Sequence, residues 1–224
     1  MRRSARSARS ARSGGRSRHD RLGDTAIAAA TVVALGSGVW LLGDGARTHT
    51  PPQPAAAEGS PDPGGARPAA HALVPSVPTR IRIPAIRVNA PLMGLALTRS
   101  GSLDVPPPQA KNLAGWYEAG TIPGETGTAI VAGHVDNTEG PAVFYDLGAL
   151  KRGARIEVDR RDGSVAVFTV DAVEAYAASN FPDEKVYGAA HRPELRVITC
   201  GGGYSRTTGY QGNVVVFAHL TGSR

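Results

Sequence analysis

From Val77 onward this sequence breaks into short β-type segments separated by turn residues, and helical periodicity is scarce. Ile81-Arg82-Ile83 and Ile86-Arg87-Val88 alternate apolar and charged residues around Pro84, as half-buried strands do. Residues 155–158 and 165–170 flank Asp162-Gly163, a pair suited to the positive-φ positions of a hairpin turn. Val214-Val215-Val216-Phe217-Ala218 is apolar throughout, the pattern of a strand covered on both faces. Residues 141–150 hold the best candidate for a short helix. Short strands at regular spacing predict a mostly β domain, closed or nearly closed into a barrel.

What precedes this domain has a different character. Residues 1–24 carry eight Arg and two Asp, so the net charge of +6 belongs to this stretch and the remainder is balanced. The repeat from Ser4-Ala5-Arg6 through Ser10-Ala11-Arg12 offers almost no apolar surface to bury, which predicts a disordered tail. Such a tail alone would suit a nucleic acid, but the run beside it argues for a membrane and no nucleic-acid partner. Residues 25–43 form 19 uncharged positions. At ~1.5 Å rise per residue they nearly span a hydrocarbon core ~30 Å thick. Trp40 sits near the far end, where an interfacial aromatic is favoured, and the Arg cluster marks the cytoplasmic side.

A single-pass cell-membrane protein with its bulk outside the cell is therefore expected. The competing reading is a cleaved signal peptide, with Ala55-Ala56-Ala57 as small residues for a peptidase. Those alanines lie more than ten residues past the apolar run, far for such a site. Residues 44–77, rich in Pro, Ala and Gly, predict an extended, partly stiff linker. The folded domain is then 78–224.

Cys200 is the only cysteine, which excludes an internal disulfide and a CxxC zinc site. It follows Leu195-Arg196-Val197-Ile198-Thr199 and precedes Gly201-Gly202, which predicts a strand stopping at the thiol with a flexible turn beyond. The apolar strand 128–133 ends in the same way on His134. A lone cysteine is often just a small buried hydrophobe. Paired with a histidine at a second strand end it points to thiol chemistry. An imidazole beside a thiol can hold it ionised or protonate a departing amine. Among the other histidines, His19, His49 and His71 lie in the tail and linker and His191 in a polar loop. His219, after the last strand, is expected at the surface or at the strand's end. Asp136 either orients His134 or forms a turn. No acidic cluster calls for a metal, and no cofactor is expected.

Ala132-Gly133-His134-Val135-Asp136, the stretch 195–200, and the closing strand 213–218 together resemble the sortases, membrane-anchored cysteine transpeptidases of Gram-positive bacteria. Gly115-Trp116-Tyr117, Pro123-Gly124-Glu125, Gly140-Pro141-Ala142-Val143-Phe144 and Thr199-Cys200-Gly201-Gly202 are most similar to the actinobacterial class F. The resemblance covers about residues 78–220. It implies an eight-stranded β-barrel in which the Cys200 thiolate attacks the Thr–Gly bond of an LPXTG-like sorting signal on a secreted protein. A cell-wall amine, such as that of a peptidoglycan precursor, then resolves the thioacyl enzyme. It also implies His134 as acid and base, and an arginine that holds the peptide and stabilises the oxyanion. In the better-known classes that arginine starts the strand after the cysteine, where this chain has Asn213. Arg206 in the following loop is the first candidate and Asn213 the second, with Thr199 as a further substrate-binding residue. Two alternatives stay open: another cell-wall cysteine transpeptidase or hydrolase, and a degenerate sortase fold that only binds.

Overall fold

Eight strands close into a barrel in the order β1-β2-β3-β4-β9-β10-β8-β7. They are β1 (Pro78–Ile83), β2 (Val88–Leu95), β3 (Ala114–Tyr117), β4 (Gly127–Gly133), β7 (Arg155–Arg160), β8 (Val165–Ala177), β9 (Pro193–Ser205) and β10 (Gly209–Ser223). A separate two-stranded hairpin, β5 (Asp136–Asn137) with β6 (Gly140–Pro141), stands between β4 and β7 in the chain. This computed structural model describes residues 50–56, 69–205, 207 and 209–224. The chain divides into residues 1–50 and 51–224. The expected tail, the apolar run at 25–43 and linker residues 57–68 lie outside the described residues, as does Arg206. Among the described residues, no helix is long and apolar enough to cross a membrane.

Alternation along the strands builds two apolar layers. Val131 and Val197 point into the barrel with Ile81, Phe144, Phe168, Leu195 and Val216, all fully buried. Ile130, Ile198, Val215 and Phe217 point outward and form a second cluster with Val186. Val186 belongs to a one-turn helix, Asp183–Tyr187, laid across that outer face. The expectation that strand 214–218 is covered on both faces holds for this reason. Burying each such side chain contributes about 1.5–3 kcal/mol, so the two layers supply most of the drive to close the barrel.

Three local expectations need correction. Residues 141–150 contain only a 3₁₀ turn, Leu147–Ala149, because Phe144 and Leu147 are drawn into the barrel. Ile86 lies not in a strand but in the 3₁₀ turn Pro84–Ile86, which closes on Arg87 in the left-handed region (φ 56°). The end of the linker is docked rather than free. The Ala70 amide donates to the Leu220 carbonyl at 2.8 Å and that of Leu73 to Gly124 at 2.8 Å, and both side chains pack on the core. The Asp162-Gly163 hairpin forms as expected, with Gly163 at φ 86°.

Candidate active site

The parallel pairing of β4 with β9 sets the register of the segments that carry His134 and Cys200. Its register runs from Gly127 opposite Pro193 to Ala132 opposite Ile198. One step further, the buried Thr199 hydroxyl donates to the Gly133 carbonyl at 2.8 Å, so the match persists past the last ladder pair. The next step brings His134 alongside Cys200. Alternation along β9 puts Thr199 on the barrel side and leaves Cys200 exposed on the outer side. A side chain at Gly133 would have no room: its Cβ would meet Val143 and Phe144 at 2.7–2.8 Å. Glycine there lets β4 end tightly against the core and release His134 at the rim.

The strand-end expectation holds for His134 but not for Cys200. β9 continues to Ser205, paired with β10 as far as Gly209. What ends at Cys200 is the other neighbour, since β4 stops at Gly133. Up to Ile198 strand β9 is flanked by both β4 and β10. Beyond it only β10 remains, and that lost neighbour opens the thiol to an approaching substrate. The ladder continues because Gly201 accepts Val214 against its backbone, where a Cβ would meet Val214 at 2.7 Å.

Asn213 is the direct cross-strand partner of Cys200, so its side chain shares the thiol's face at about 4.5–5.5 Å between Cβ atoms. Thr199, expected to touch substrate, is placed differently. It is buried and its hydroxyl is committed to Gly133, so it fixes the β4–β9 register. Asp136 does not bond His134: its carboxylate accepts a hydrogen bond from the Tyr210 hydroxyl. That contact joins the β9–β10 hairpin to the β5–β6 hairpin. Tyr210 gave no signal in the sequence beyond being an aromatic among glycines. His134 instead meets the Pro106 carbonyl, with Nε2 at 2.7 Å.

The electrostatics work against a free thiolate at rest. Although the residue is exposed at the surface, desolvation of its sulfur by the surrounding chain pushes the Cys200 thiol up, the Asp136 charge adds to this, and a backbone hydrogen bond offsets only part. Tyr210 is likewise pushed up, first by burial and then by its bond to the Asp136 carboxylate. A thiol held protonated needs a base when the substrate arrives. By register, His134 is the histidine that falls level with Cys200. Among the described residues, no group of three or more His, Cys, Asp or Glu is placed to hold a metal ion.

His219, expected at the surface or at the strand's end, is fully buried within β10. Its Nδ1 lies 2.6 Å from Asp171 Oδ1, near the opposite end of the β9–β10 ladder. The strand runs on to Ser223, so Leu220 and the residues beside it close the barrel rather than leave it.

The family model for the Sortase domain matches residues 81–221. The chain belongs to the sortase family. Its members are cysteine transpeptidases, and the closed eight-stranded barrel is the fold the resemblance implied. Among solved structures, the sortase is similar to sortase A of Listeria monocytogenes. The identity is 17% and the TM-score 0.50, over 67% of this chain and 90% of that one. It is also similar to sortase A of Corynebacterium diphtheriae, at 18% identity and TM-score 0.50, over 70% of this chain and 62% of that one. At these identities the two likenesses speak for the fold alone. No curated protein matches the sequence.

Proposed function

We propose that this sortase is a membrane-anchored, class F-like transpeptidase working outside the cell. It cleaves an LPXTG-like sorting signal and passes the protein to a cell-wall amine. The observation that carries the reading is the register: an exposed cysteine on β9 and a histidine one residue past the end of β4 fall at matching positions where one flank of β9 opens. The Cys200 proton passes to His134, and the sulfur attacks the Thr carbonyl carbon, forming the C–S bond and an oxyanion. Collapse of that intermediate breaks the C–N bond, and the departing glycine amine takes the proton from His134. The incoming amine reverses this order and frees the thiol.

Arg206 or Asn213 steadies the oxyanion, because a fixed donor near developing negative charge lowers the barrier. Anchoring through residues 25–43 rests on the Arg asymmetry across that run. The test is thiol-dependent cleavage of a sorting-signal peptide, with and without an added amine. The wild-type chain should give both hydrolysis and the amine adduct, and Cys200→Ala neither. Turnover by Cys200→Ala would sink the proposal. An inactive wild-type chain that still binds the peptide would favour the binding-module reading.

A further inference from the structure

Residues 105–108, Val105-Pro106-Pro107-Pro108, cross the rim of the site and take no part in the barrel. Three consecutive prolines contribute carbonyl acceptors and no N–H donors, on a backbone whose φ is already fixed. The segment is moored at its start, where the Asp104 amide donates to Ala96 at 3.0 Å, and it ends in a turn closed by the Ala110 amide on the Pro107 carbonyl at 2.9 Å. Leu103, just before it, packs on the outer apolar cluster.

Three ties join this segment to the stretch that carries His134. His134 Nε2 lies 2.7 Å from the Pro106 carbonyl. Asn137 Nδ2 donates to the Pro108 carbonyl at 2.8 Å. Lys111 Nζ reaches the Glu139 carboxylate at 3.0 Å and its carbonyl at 3.2 Å. Pro106 is buried, whereas Pro107 and Pro108 are exposed, so the carbonyl that meets the imidazole belongs to the seated residue.

A carbonyl oxygen only accepts, so the nitrogen facing it must carry the proton. We propose that the proline segment is a positioning strap. It holds His134 as the Nε2–H tautomer and leaves Nδ1 as the atom that exchanges the proton with Cys200 and the departing amine. This rests on the reading of His134 and Cys200 as the reacting pair. The Pro106 carbonyl thus takes the orienting role that a carboxylate fills in many His-assisted sites, while Asp136 is occupied by Tyr210. A polyproline segment suits this task, since it loses little conformational freedom on docking.

The decisive variant is Asn137→Asp. Asn137 Oδ1 also accepts the Glu139 amide at 2.9 Å, a turn contact that Asp retains, while the donor to Pro108 is lost. The full chain in detergent, labelled with ¹⁵N in its histidine rings, reports the tautomer directly, and His134→Ala assigns the signal. Wild type should show Nε2–H in the neutral ring. Asn137→Asp should show a mixture of tautomers and a kcat lower by roughly 10-fold, with KM within about twofold, as expected when a proton-transfer group is misplaced. Pro107→Gly, which keeps every carbonyl but loosens the strap, should move both readouts the same way by less, and it serves if Asn137→Asp fails to fold. An Nδ1–H ring in wild type would overturn the proposal. So would a change in only one of the two readouts, or in neither. If the wild-type chain cleaves no sorting peptide, it is the proposed function that fails, and the tautomer still decides the strap.

Discussion

Two histidines, His219 within β10 and His134 just past the end of β4, differ in an instructive way. His219 is fully buried and bonded to Asp171, in a network where Arg192 lies 2.8 Å from Glu194 and 3.7 Å from Asp171, and Arg196 lies 2.7 Å from Glu194. Burial favours a neutral Glu194, yet the hydrogen bonds from Arg192 and Arg196 outweigh it and hold the carboxyl low. Among the described residues, His134 has no carboxylate partner and meets a main-chain carbonyl. The His–Asp pair alone would point to His219, whereas the proposed reaction uses His134. A histidine becomes a catalyst by standing next to a nucleophile that substrate can reach. Register places His134, and not His219, level with the thiol.

The strongest way to break this comparison is to remove each imidazole in turn. His134→Ala should lower peptide cleavage by about 10³-fold, within the range for loss of a general acid–base group, and keep a thiol that alkylates. His219→Ala should leave turnover per folded molecule near wild type. It should cost about 1–3 kcal/mol of stability in denaturant unfolding, because Asp171 loses its partner and a buried space opens. A catalytic loss at His219 comparable to that at His134 would overturn the contrast.

Oxyanion stabilisation sharpens the His134 side of the comparison. Arg206→Ala should slow acylation by about 100-fold, and Arg206→Lys should restore part, because one ammonium cannot reproduce the planar fork. Asn213→Ala should then cost far less, although Asn213 sits directly across from Cys200. The reverse pattern in single-turnover acylation would move the role to Asn213.

The smallest effect expected concerns the Asp136 charge. Burial is the larger cause of the raised Cys200 thiol and Asp136 the next. Asp136→Asn removes a negative charge that disfavours the thiolate, so the midpoint of the pH profile for Cys200 alkylation should fall. Burial remains, so the midpoint should stay above that of an ordinary thiol. The Tyr210 bond survives, since an amide oxygen also accepts. A midpoint that rises or stays put would remove Asp136 from the electrostatics of the site.

Much of this protein was legible in the residues. Alternation at 81–83 and 165–170, the Asp162-Gly163 turn and the apolar run 214–218 marked the barrel, because strand periodicity and turn chemistry are local properties. The Cys200 and His134 motifs marked the pair for a similar reason: each ends an apolar run beside glycine. The sequence failed where a partner distant along the chain decides the outcome. Strand β9 outruns Cys200 because β10 stays paired with it, and no residue near 200 announces that. His219 is buried because β8 supplies Asp171 and β10 runs on to Ser223.

Thr199, Tyr210 and Pro106 follow the same rule, since each is defined by a contact across the fold: with Gly133, Asp136 and His134. The sequence by itself determined the strands, and it singled out Cys200 and His134 as the candidate pair. Tertiary structure alone decided which flank of β9 opens, what orients the imidazole, and which charges raise the thiol. Those depend on distances between segments, and a linear pattern encodes no distance between residues far apart in the chain.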